Sequence, residues 1–160
     1  MGEHSRLDVL VNTVGGYTRG PRLWETDKSI LDRMLALNLS SAFALCHAGV
    51  AVMLAQRSGW IVNVAAKAAF EHPAGAAAYA ASKAAAVAML DTLGAELVGT
   101  GVRVNSILPS IIDTETNRRA MPHADFTKWP KPTDIASVVL FLCSDAARSV
   151  HGAAIPVYGY

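Results

Sequence analysis

The stretch WIVNVAAKAAFEHPAGAAAYAASKAAAVAMLDTLGAELVGTGVRVNSILP, residues 60–109, decides the fold of this chain. Two short, nearly continuous apolar runs, at 60–66 and 102–109, are typical of strands that are buried on both faces of a sheet. Between them, the alanine-rich segment 75–98 predicts a helix that ends before Gly99. Because a helix joins the two strands, the sheet is expected to be parallel.

The same alternation continues toward the amino terminus. Residues 7–12 predict another strand buried on both faces, which runs into a glycine-rich loop. Residues 25–59 then predict a long helix with Thr26 and Asp27 as its cap. This helix is long enough to bend or break near 38–41.

The carboxy-terminal part of the chain completes the alternation. Residues 110–132 hold three prolines and no clear period, which indicates a loop with short helical pieces. Residues 133–145 predict a capped helix and residues 153–159 a last strand. We therefore expect one domain over 1–160, with an α/β, Rossmann-like parallel sheet and helices on both faces.

Composition restricts the class of protein. Apolar residues make up 52% of the chain, charged residues 17%, and the net charge is +1. The scattered basic residues form no stripe of the kind that nucleic-acid binding requires. The five histidines and two cysteines show no metal-ligand spacing. With no signal-peptide pattern at its start, the protein is expected to be cytoplasmic, without a membrane-spanning segment, a metal or a nucleic-acid partner.

Tyr79 and Lys83 are the first candidates for chemistry. Four positions apart in a helix, they lie roughly 6 Å apart along one face. An ammonium this close is expected to lower the pKa of the phenol, which could then pass a proton to a substrate. On spacing alone, a solvated surface pair is the alternative.

Five segments together resemble the short-chain dehydrogenase/reductase family, from its fourth strand to its end. They occur in the family's order and spacing: LDVLVNTVGG (7–16), LNLSSAF (37–43), GWIVNVAAKAA (59–69), AAYAASKAA (77–85) and GVRVNSILPSIIDT (101–114). The resemblance implies a Rossmann-like sheet that lacks the family's N-terminal βαβ units. It also implies NAD(P)H as the cofactor and a small molecule as the substrate.

The resemblance also implies catalytic roles for individual residues. Tyr79 matches the family's proton donor, and Lys83 matches the lysine that holds the nicotinamide ribose. Asn38 matches the helix asparagine that supports a water relay to that lysine.

Five further positions match residues that line the family's cofactor site. Asn12 and Gly15 match the turn near the adenosine side of the cofactor. Pro109, Ile112 and Thr114 match the segment that binds the nicotinamide carboxamide.

Ala66 stands where the family carries its catalytic serine, and alanine cannot donate a hydrogen bond to a substrate carbonyl. Dihydropteridine reductases also lack this serine, and they resemble the chain in AAKAAF (65–70), VGGY (14–17) and residues 108–129. The implied substrate is an electron-poor ring such as a quinonoid dihydropterin. Tyr17 and Trp129 could line a pocket for such a flat ring; ordinary packing is the alternative.

The family's phosphate-binding glycine turn has no counterpart in the sequence. GGYTRG (15–20) follows a predicted strand, but its spacing is wrong and helix signals begin only at Thr26. Weak or absent NAD(P)H binding is therefore expected. Three hypotheses remain: a pterin-type reductase, a reductase of ordinary carbonyls, and an inactive remnant that acts as a dimerising scaffold. The resemblance places homo-oligomer contacts on helices 25–57 and 75–98.

Overall fold

The computed structural model describes residues 6–159, so the first five residues used for the localisation prediction lie outside the described part. The strands are β1 (Val9–Asn12), β2 (Gly59–Val64), β3 (Val102–Pro109) and β4 (Ala153–Val157). The helices are α1 (Lys28–Leu35), α2 (Ser41–Gln56), α3 (Ala68–Glu71), α4 (Ala77–Glu96), α5 (Glu115–Ala120) and α6 (Pro132–Leu142). A π-helical segment, Ala36–Ser40, joins α1 to α2, and 3₁₀ turns lie at Leu23–Glu25, Phe126–Lys128 and Asp145–Ala147.

The four strands form one parallel sheet in the order β1-β2-β3-β4. Helices α2 and α4 pack on one face, and α6 packs on the other. The α/β, Rossmann-like prediction is confirmed. Its physical basis is that each helix buries one apolar stripe against a sheet whose central strands are apolar on both faces.

The hydrophobic core has a separate half on each side of the sheet. The half under α2 and α4 contains Ala42, Cys46, Met53, Ile61, Leu90, Leu97, Val102 and Val104. The half under α6 contains Val62, Ile107, Ile135, Leu142 and Ala147. Alternate residues of β2 and β3 therefore face opposite halves, as strand geometry requires.

The prediction that the first strand is buried on both faces is wrong for β1. Val9 is 41% exposed and Val11 is 38% exposed, whereas Leu10 packs against the core and Asn12 is buried. β1 is the edge strand of the described sheet, and the face that carries the two valines is open to solvent there.

The long helix begins where its cap predicts. The carboxylate of Asp27 accepts a hydrogen bond from the Ser29 amide at 2.7 Å. The predicted break near 38–41 is a π-helical segment that lets the helix continue from Lys28 to Gln56. It ends at Arg57, which adopts a left-handed conformation with φ of 54°.

This helix corrects the expectation about membrane-spanning segments. Over Lys28–Gln56 it is long and apolar enough to cross a bilayer, with a mean hydropathy of 1.6, because residues 34–56 carry no Asp, Glu, Lys or Arg. In the fold it packs against β1, β2 and α4. Only 28% of its apolar window is buried, so these contacts account for part of its apolar surface.

Candidate active site

Tyr79 and Lys83 lie in the first two turns of α4, beside the carboxyl end of β2. The Lys83 ammonium donates a hydrogen bond to the backbone carbonyl of Val64, the last residue of β2, at 3.1 Å. Lys83 is only 7% exposed, and Tyr79 is half-buried. The alternative interpretation, a Tyr79–Lys83 pair on the solvent-exposed surface, is therefore wrong.

An aromatic side chain from the glycine-rich loop covers Tyr79. The rings of Tyr17 and Tyr79 meet edge to face, with centroids 4.9 Å apart and an interplanar angle of 89°. Tyr17 itself is 60% exposed. Tyr17 thus forms one wall beside the phenol, whereas Trp129 contacts Phe126, with ring centroids 5.0 Å apart.

The expected direction of the tyrosine pKa shift is wrong. Burial, together with a smaller contribution from the nearby Tyr17 hydroxyl, raises the pKa of Tyr79 to about 12. Burial also lowers the pKa of Lys83 to about 8. Both shifts have the same origin, because withdrawal from water disfavours the charged form of either group. Desolvation therefore sets the direction of both shifts, whereas the spacing predicts a phenolate stabilised by the ammonium.

Asn38 holds the glycine-rich loop against the helices. Its Oδ1 accepts from the Gly16 amide at 2.9 Å, and its Nδ2 donates to the Gly16 carbonyl at 3.0 Å. The same Nδ2 donates to Ser82 Oγ at 2.9 Å, and that hydroxyl donates to the Tyr79 carbonyl at 2.8 Å. The Asn38 side chain is thus engaged by backbone and serine, and its water-relay role stays a prediction.

A side chain at Gly15 would crowd two polar groups of the candidate site. A Cβ on Gly15 would lie 2.7 Å from Asn38 Oδ1 and 3.0 Å from Lys83 Nζ. The loop backbone therefore comes into direct contact with the two polar groups of the candidate site.

Asn12 lies at the carboxyl end of β1, in register with Asn63 of β2. Its Nδ2 donates to Asn63 Oδ1 at 2.8 Å, and its Oδ1 accepts from the Val14 amide at 3.1 Å. Ser106 of β3 is in register with Asn63, so three polar residues lie side by side across β1, β2 and β3. The buried Asn12 side chain thus orients the loop that carries Gly15.

The segment after β3 is organised by backbone and capping contacts. The Pro109 carbonyl accepts from the Lys67 amide at 2.8 Å. The Ile112 carbonyl accepts from Asn117 Nδ2 at 2.8 Å, and Thr114 Oγ1 accepts from the Asn117 amide at 3.2 Å. Thr114 is therefore the N-cap of α5, and its carboxamide-binding role stays a prediction.

Ala66 is buried between β2 and α3, and the residue that follows it is charged. The Lys67 ammonium lies 3.1 Å from a Glu71 carboxylate oxygen and 4.6 Å from the centroid of the Tyr158 ring. These three side chains, which sequence analysis missed, thus meet beside the position where the family carries its serine.

Comparison with known proteins decides the family. Residues 1–159 match a family model described as enoyl-(acyl carrier protein) reductase. A solved 3-oxoacyl-[acyl-carrier protein] reductase with bound NAD from Brucella melitensis superposes with a TM-score of 0.83 at 29% identity, over 95% of this chain and 61% of that one. The chain belongs to the short-chain dehydrogenase/reductase family.

Curated members of the short-chain dehydrogenase/reductase family match nearly the whole chain. The 3-oxoacyl-[acyl-carrier-protein] reductase FabG of Thermotoga maritima is 33% identical over 98% of this chain and 67% of the relative. The D-threitol dehydrogenase of Mycolicibacterium smegmatis is 37% identical over 98% of this chain and 64% of the relative. The chain thus spans about two thirds of the length of these relatives. The family prediction is confirmed.

The half of the family's cofactor that contains the nicotinamide and its ribose fits the described residues. The Lys83 ammonium has a single backbone acceptor at Val64, so N–H groups remain for the hydroxyls of a ribose. The bare Cα of Gly15 leaves the loop backbone close to that ammonium. Lys83 could thus hold the ribose, and the nicotinamide-binding role of the Pro109–Thr114 segment stays a prediction.

The GGYTRG loop does not form a binding site for the phosphates of a dinucleotide. A helix N-terminus attracts phosphate through its free amides and its dipole. The helix that follows this loop begins at Lys28, and the carboxylate of Asp27 already accepts from its first turn. Another anion is therefore disfavoured there, in agreement with the predicted mismatch of this glycine cluster.

Two polar residues of the short-chain dehydrogenase/reductase site escaped sequence analysis. Ser82 lies inside the quoted motif AAYAASKAA, next to Lys83, and it bridges Asn38 to α4. Asn63 interrupts the apolar strand IVNV and bonds to Asn12. A polar residue in a buried apolar run needs a hydrogen-bond partner. The polar residue itself was therefore the feature of the sequence that could have indicated these two contacts.

Proposed function

We propose that the protein is an NAD(P)H-dependent oxidoreductase, similar to dihydropteridine reductases, in which Tyr79 protonates the substrate without help from a catalytic serine. The observation that carries this proposal is the shared placement of Tyr79 and Lys83 on one face of α4, with Lys83 buried and fixed to Val64. The substrate is a small molecule with an electron-poor ring. Composition supports a cytoplasmic location.

The high pKa of Tyr79 suits a proton donor. With a pKa of about 12, the phenol keeps its proton throughout the neutral range. The nicotinamide, when bound, supplies the hydride. As negative charge develops on a substrate oxygen or nitrogen, the phenol donates its proton to that atom.

Lys83 acts as the group that positions the ribose and sets the charge beside the phenol. With a pKa of about 8, it is mostly protonated at pH 7. Its bond to the Val64 carbonyl fixes the nitrogen, while Asn38 and Gly16 hold the loop around it. This preorganisation lets Lys83 bind ribose hydroxyls without a rearrangement of the helix.

The missing serine supports an electron-poor ring as the substrate. Ala66 offers no hydroxyl to polarise a ketone, so an unactivated carbonyl would lose an oxyanion contact worth roughly 3 kcal/mol in other enzymes. The exposed ring of Tyr17 next to Tyr79 provides an aromatic wall for a flat substrate.

A second candidate substrate is an ordinary carbonyl or alcohol. It is favoured by the names of the relatives, which are 3-oxoacyl-[acyl-carrier-protein] reductases and a D-threitol dehydrogenase. In this case the tyrosine would act alone on the substrate oxygen.

A comparison of two variants distinguishes the substrates. The wild-type protein, Ala66→Ser and Tyr79→Phe would be assayed with NADH and NADPH against quinonoid dihydropterin and against a 3-oxoacyl substrate. We expect Tyr79→Phe to lower dihydropterin turnover by about 100-fold or more, and Ala66→Ser to raise only the 3-oxoacyl rate.

Three outcomes decide the proposal. Dihydropterin turnover that survives Tyr79→Phe would remove the proton-donor role. A wild-type rate on the 3-oxoacyl substrate but none on dihydropterin would select the second candidate. Failure of the wild-type protein to bind either cofactor would select the non-catalytic scaffold.

We also propose that the protein self-associates through α2 and α4. An apolar groove of about 560 Å³ lies between these helices, lined by side chains that include Phe43, His47, Val50, Leu54, Met89 and Leu93. Phe43 is 56% exposed and stacks on His47 with ring centroids 5.5 Å apart. An exposed apolar patch of this kind supports a protein interface. The scaffold hypothesis would use the same surface.

A further inference from the structure

Ser82 carries a fully buried hydroxyl in α4, one residue before Lys83. Its Oγ accepts a hydrogen bond from Asn38 Nδ2 at 2.9 Å and donates one to the Tyr79 carbonyl at 2.8 Å. A serine that only donates to a carbonyl of its own helix needs no donor from another element. Ser82 therefore does more than stabilise its own turn, because it connects α4 with the π-helical segment.

Gly16 and Ser82 together fix the orientation of the Asn38 amide. The Gly16 amide donates to Asn38 Oδ1 at 2.9 Å, and the Gly16 carbonyl accepts from Nδ2 at 3.0 Å. The second proton of Nδ2 then needs another acceptor, which Ser82 Oγ supplies, whereas Met34 Sδ is a weak acceptor 3.9 Å away. Since Asn38 is only 2% exposed, the loss of this oxygen acceptor would be costly.

These hydrogen bonds and one aromatic contact form a closed cycle of contacts around the candidate proton donor. Tyr17 directly follows Gly16, and its ring meets the Tyr79 ring edge to face, with centroids 4.9 Å apart. The members of the cycle are, in order, Tyr17, Gly16, Asn38, Ser82 and Tyr79. Hydrogen bonds that all point in one direction polarise one another, so the loss of one weakens the others.

The position of Tyr17 depends on how its backbone is held. Its ring is 60% exposed, so side-chain packing restrains it on one side only. The loop backbone is bonded to Asn38 at Gly16 and to the segment before α4 at Gly20, whose amide donates to the Gly75 carbonyl at 2.8 Å. Tyr17 therefore lies between two anchors, and the nearer anchor is the one that Asn38 provides.

We propose that Ser82 is a positioning residue that sets the place of the Tyr17 ring against Tyr79, and with it the width of the slot for a flat substrate. Ser82 acts through Asn38 and Gly16, because its complete burial keeps it away from the substrate. The catalytic consequence rests on the proposed reduction of an electron-poor ring at Tyr79. The placement of the loop does not depend on that reaction.

Hydrogen exchange of the Gly16 amide tests the positioning role without any substrate. Ser82→Ala removes the oxygen acceptor of Asn38 Nδ2, in a helix where alanine is well tolerated. We expect the Gly16 amide to exchange about tenfold faster or more, measured by NMR relative to the buried β3 amides, which report global unfolding. The nuclear Overhauser contacts between the Tyr17 and Tyr79 rings should weaken in the same variant.

Three further variants show whether the hydroxyl acts through Asn38. Ser137→Ala removes an exposed hydroxyl that is bonded to the Thr133 carbonyl of its own helix, and it should leave Gly16 exchange unchanged. Ser82→Cys keeps a side chain of similar size but provides a weak acceptor, so it should behave like Ser82→Ala. In an Asn38→Leu background, Ser82→Ala should have no additional effect on Gly16, because the link is already broken.

Steady-state kinetics with quinonoid dihydropterin test the effect on the substrate slot. We expect Ser82→Ala to raise KM by about fivefold or more and to lower kcat less, because a displaced Tyr17 weakens binding of the ring. A loss of folded protein alone would lower the apparent kcat and leave KM unchanged. If the wild-type protein does not turn over dihydropterin, the proposed function fails, whereas Gly16 exchange still decides the role of Ser82.

Three results would overturn the proposal. The first is Gly16 exchange in Ser82→Ala that equals exchange in the wild-type protein. The second is a full additional effect of Ser82→Ala in the Asn38→Leu background, since Ser82 would then act by another route. The third is an unchanged KM in a Ser82→Ala protein that still turns over dihydropterin, because the slot would then be unaffected.

Discussion

Asn38 and Gly16 are joined by two hydrogen bonds that reproduce the pairing of adjacent strands. The side-chain amide of Asn38 accepts from the Gly16 amide at 2.9 Å and donates to the Gly16 carbonyl at 3.0 Å. Asn38 lies in the π-helical segment, and such segments often occur at functional sites. The pair therefore fixes the glycine-rich loop to the helix that faces Lys83.

Asn38→Leu should destabilise the protein by about 2–4 kcal/mol, because it removes the side-chain partners of both Gly16 backbone groups and of Ser82 at similar volume. Urea unfolding would measure this. Ser137→Ala, which removes an exposed hydroxyl bonded within α6, should change stability by less than about 0.5 kcal/mol. Equal effects of the two variants would contradict the proposed role of Asn38 in holding the loop.

Gly15→Ala should destabilise the protein by about 1–3 kcal/mol and weaken cofactor binding, because the new Cβ would contact Asn38 Oδ1 and Lys83 Nζ too closely. Gly20→Ala is the matched control in the same loop, since its Cβ would lie 4.0 Å from the nearest heavy atom, Thr26 Oγ1. Thermal unfolding and NADH fluorescence titration would compare the two. The close contact is refuted if both alanines behave alike.

Lys83→Met should be more stable than the wild-type protein at pH 7 and should lose that advantage by pH 10.5. Burial lowers the pKa of Lys83 from 10.5 to about 8, so the unfolded chain binds more protons between these pH values. Wild-type stability therefore rises with pH across this window. The shift corresponds to about 3 kcal/mol at pH 7, and loss of the Val64 hydrogen bond leaves a net gain of about 2 kcal/mol.

Urea unfolding at several pH values from 7 to 10.5 would test this dependence. Tyr79 contributes equally to both proteins, so its own raised pKa cancels in the difference. Lys28→Met, which removes an exposed lysine paired with Asp32, is the control for the loss of a surface ammonium. A pH-independent difference for Lys83→Met would show that the ammonium is not desolvated.

Gly101→Ala should be clearly more destabilising than Gly99→Ala. Both glycines have positive φ, at +88° and +78°, so either alanine costs about 1 kcal/mol in backbone strain. Only at Gly101 would the Cβ also clash with a backbone atom, the Arg57 carbonyl oxygen, whereas Gly99 faces open space. We expect a total of about 3 kcal/mol for Gly101→Ala by urea unfolding. Equal losses would show that the clash relaxes freely.

Phe43→Arg should weaken self-association by about 30-fold or more, because it places a charge in the apolar groove between α2 and α4. Sedimentation equilibrium would measure the dissociation constant. Leu23→Arg changes another exposed apolar residue outside that groove and should leave self-association unchanged. A monomeric wild-type protein would contradict the proposed interface.

The secondary structure could be predicted because its signals are local. The apolar run 102–109 predicts the bounds of β3, and the alanine-rich run predicts α4 to within two residues at each end. The Asp27 cap fixes the start of α1. Errors arose where burial depends on neighbours: β1 has the composition of a two-sided strand, yet it lies at the edge of the described sheet.

The candidate site could be predicted only in part. Spacing places Tyr79 and Lys83 on one helix face, and the resemblance assigns their chemistry. Neither predicted that Ser82 bonds to Asn38, or that Lys67 contacts Tyr158, since the partners in each pair come from separate segments.

The sequence by itself determined the parallel α/β fold, the family, and the helix that carries tyrosine and lysine, because apolar periodicity and motif spacing are properties of neighbouring residues. Only the tertiary structure decided the direction of the pKa shifts of that pair. Desolvation sums over every atom packed around a group, and those atoms come from distant parts of the chain.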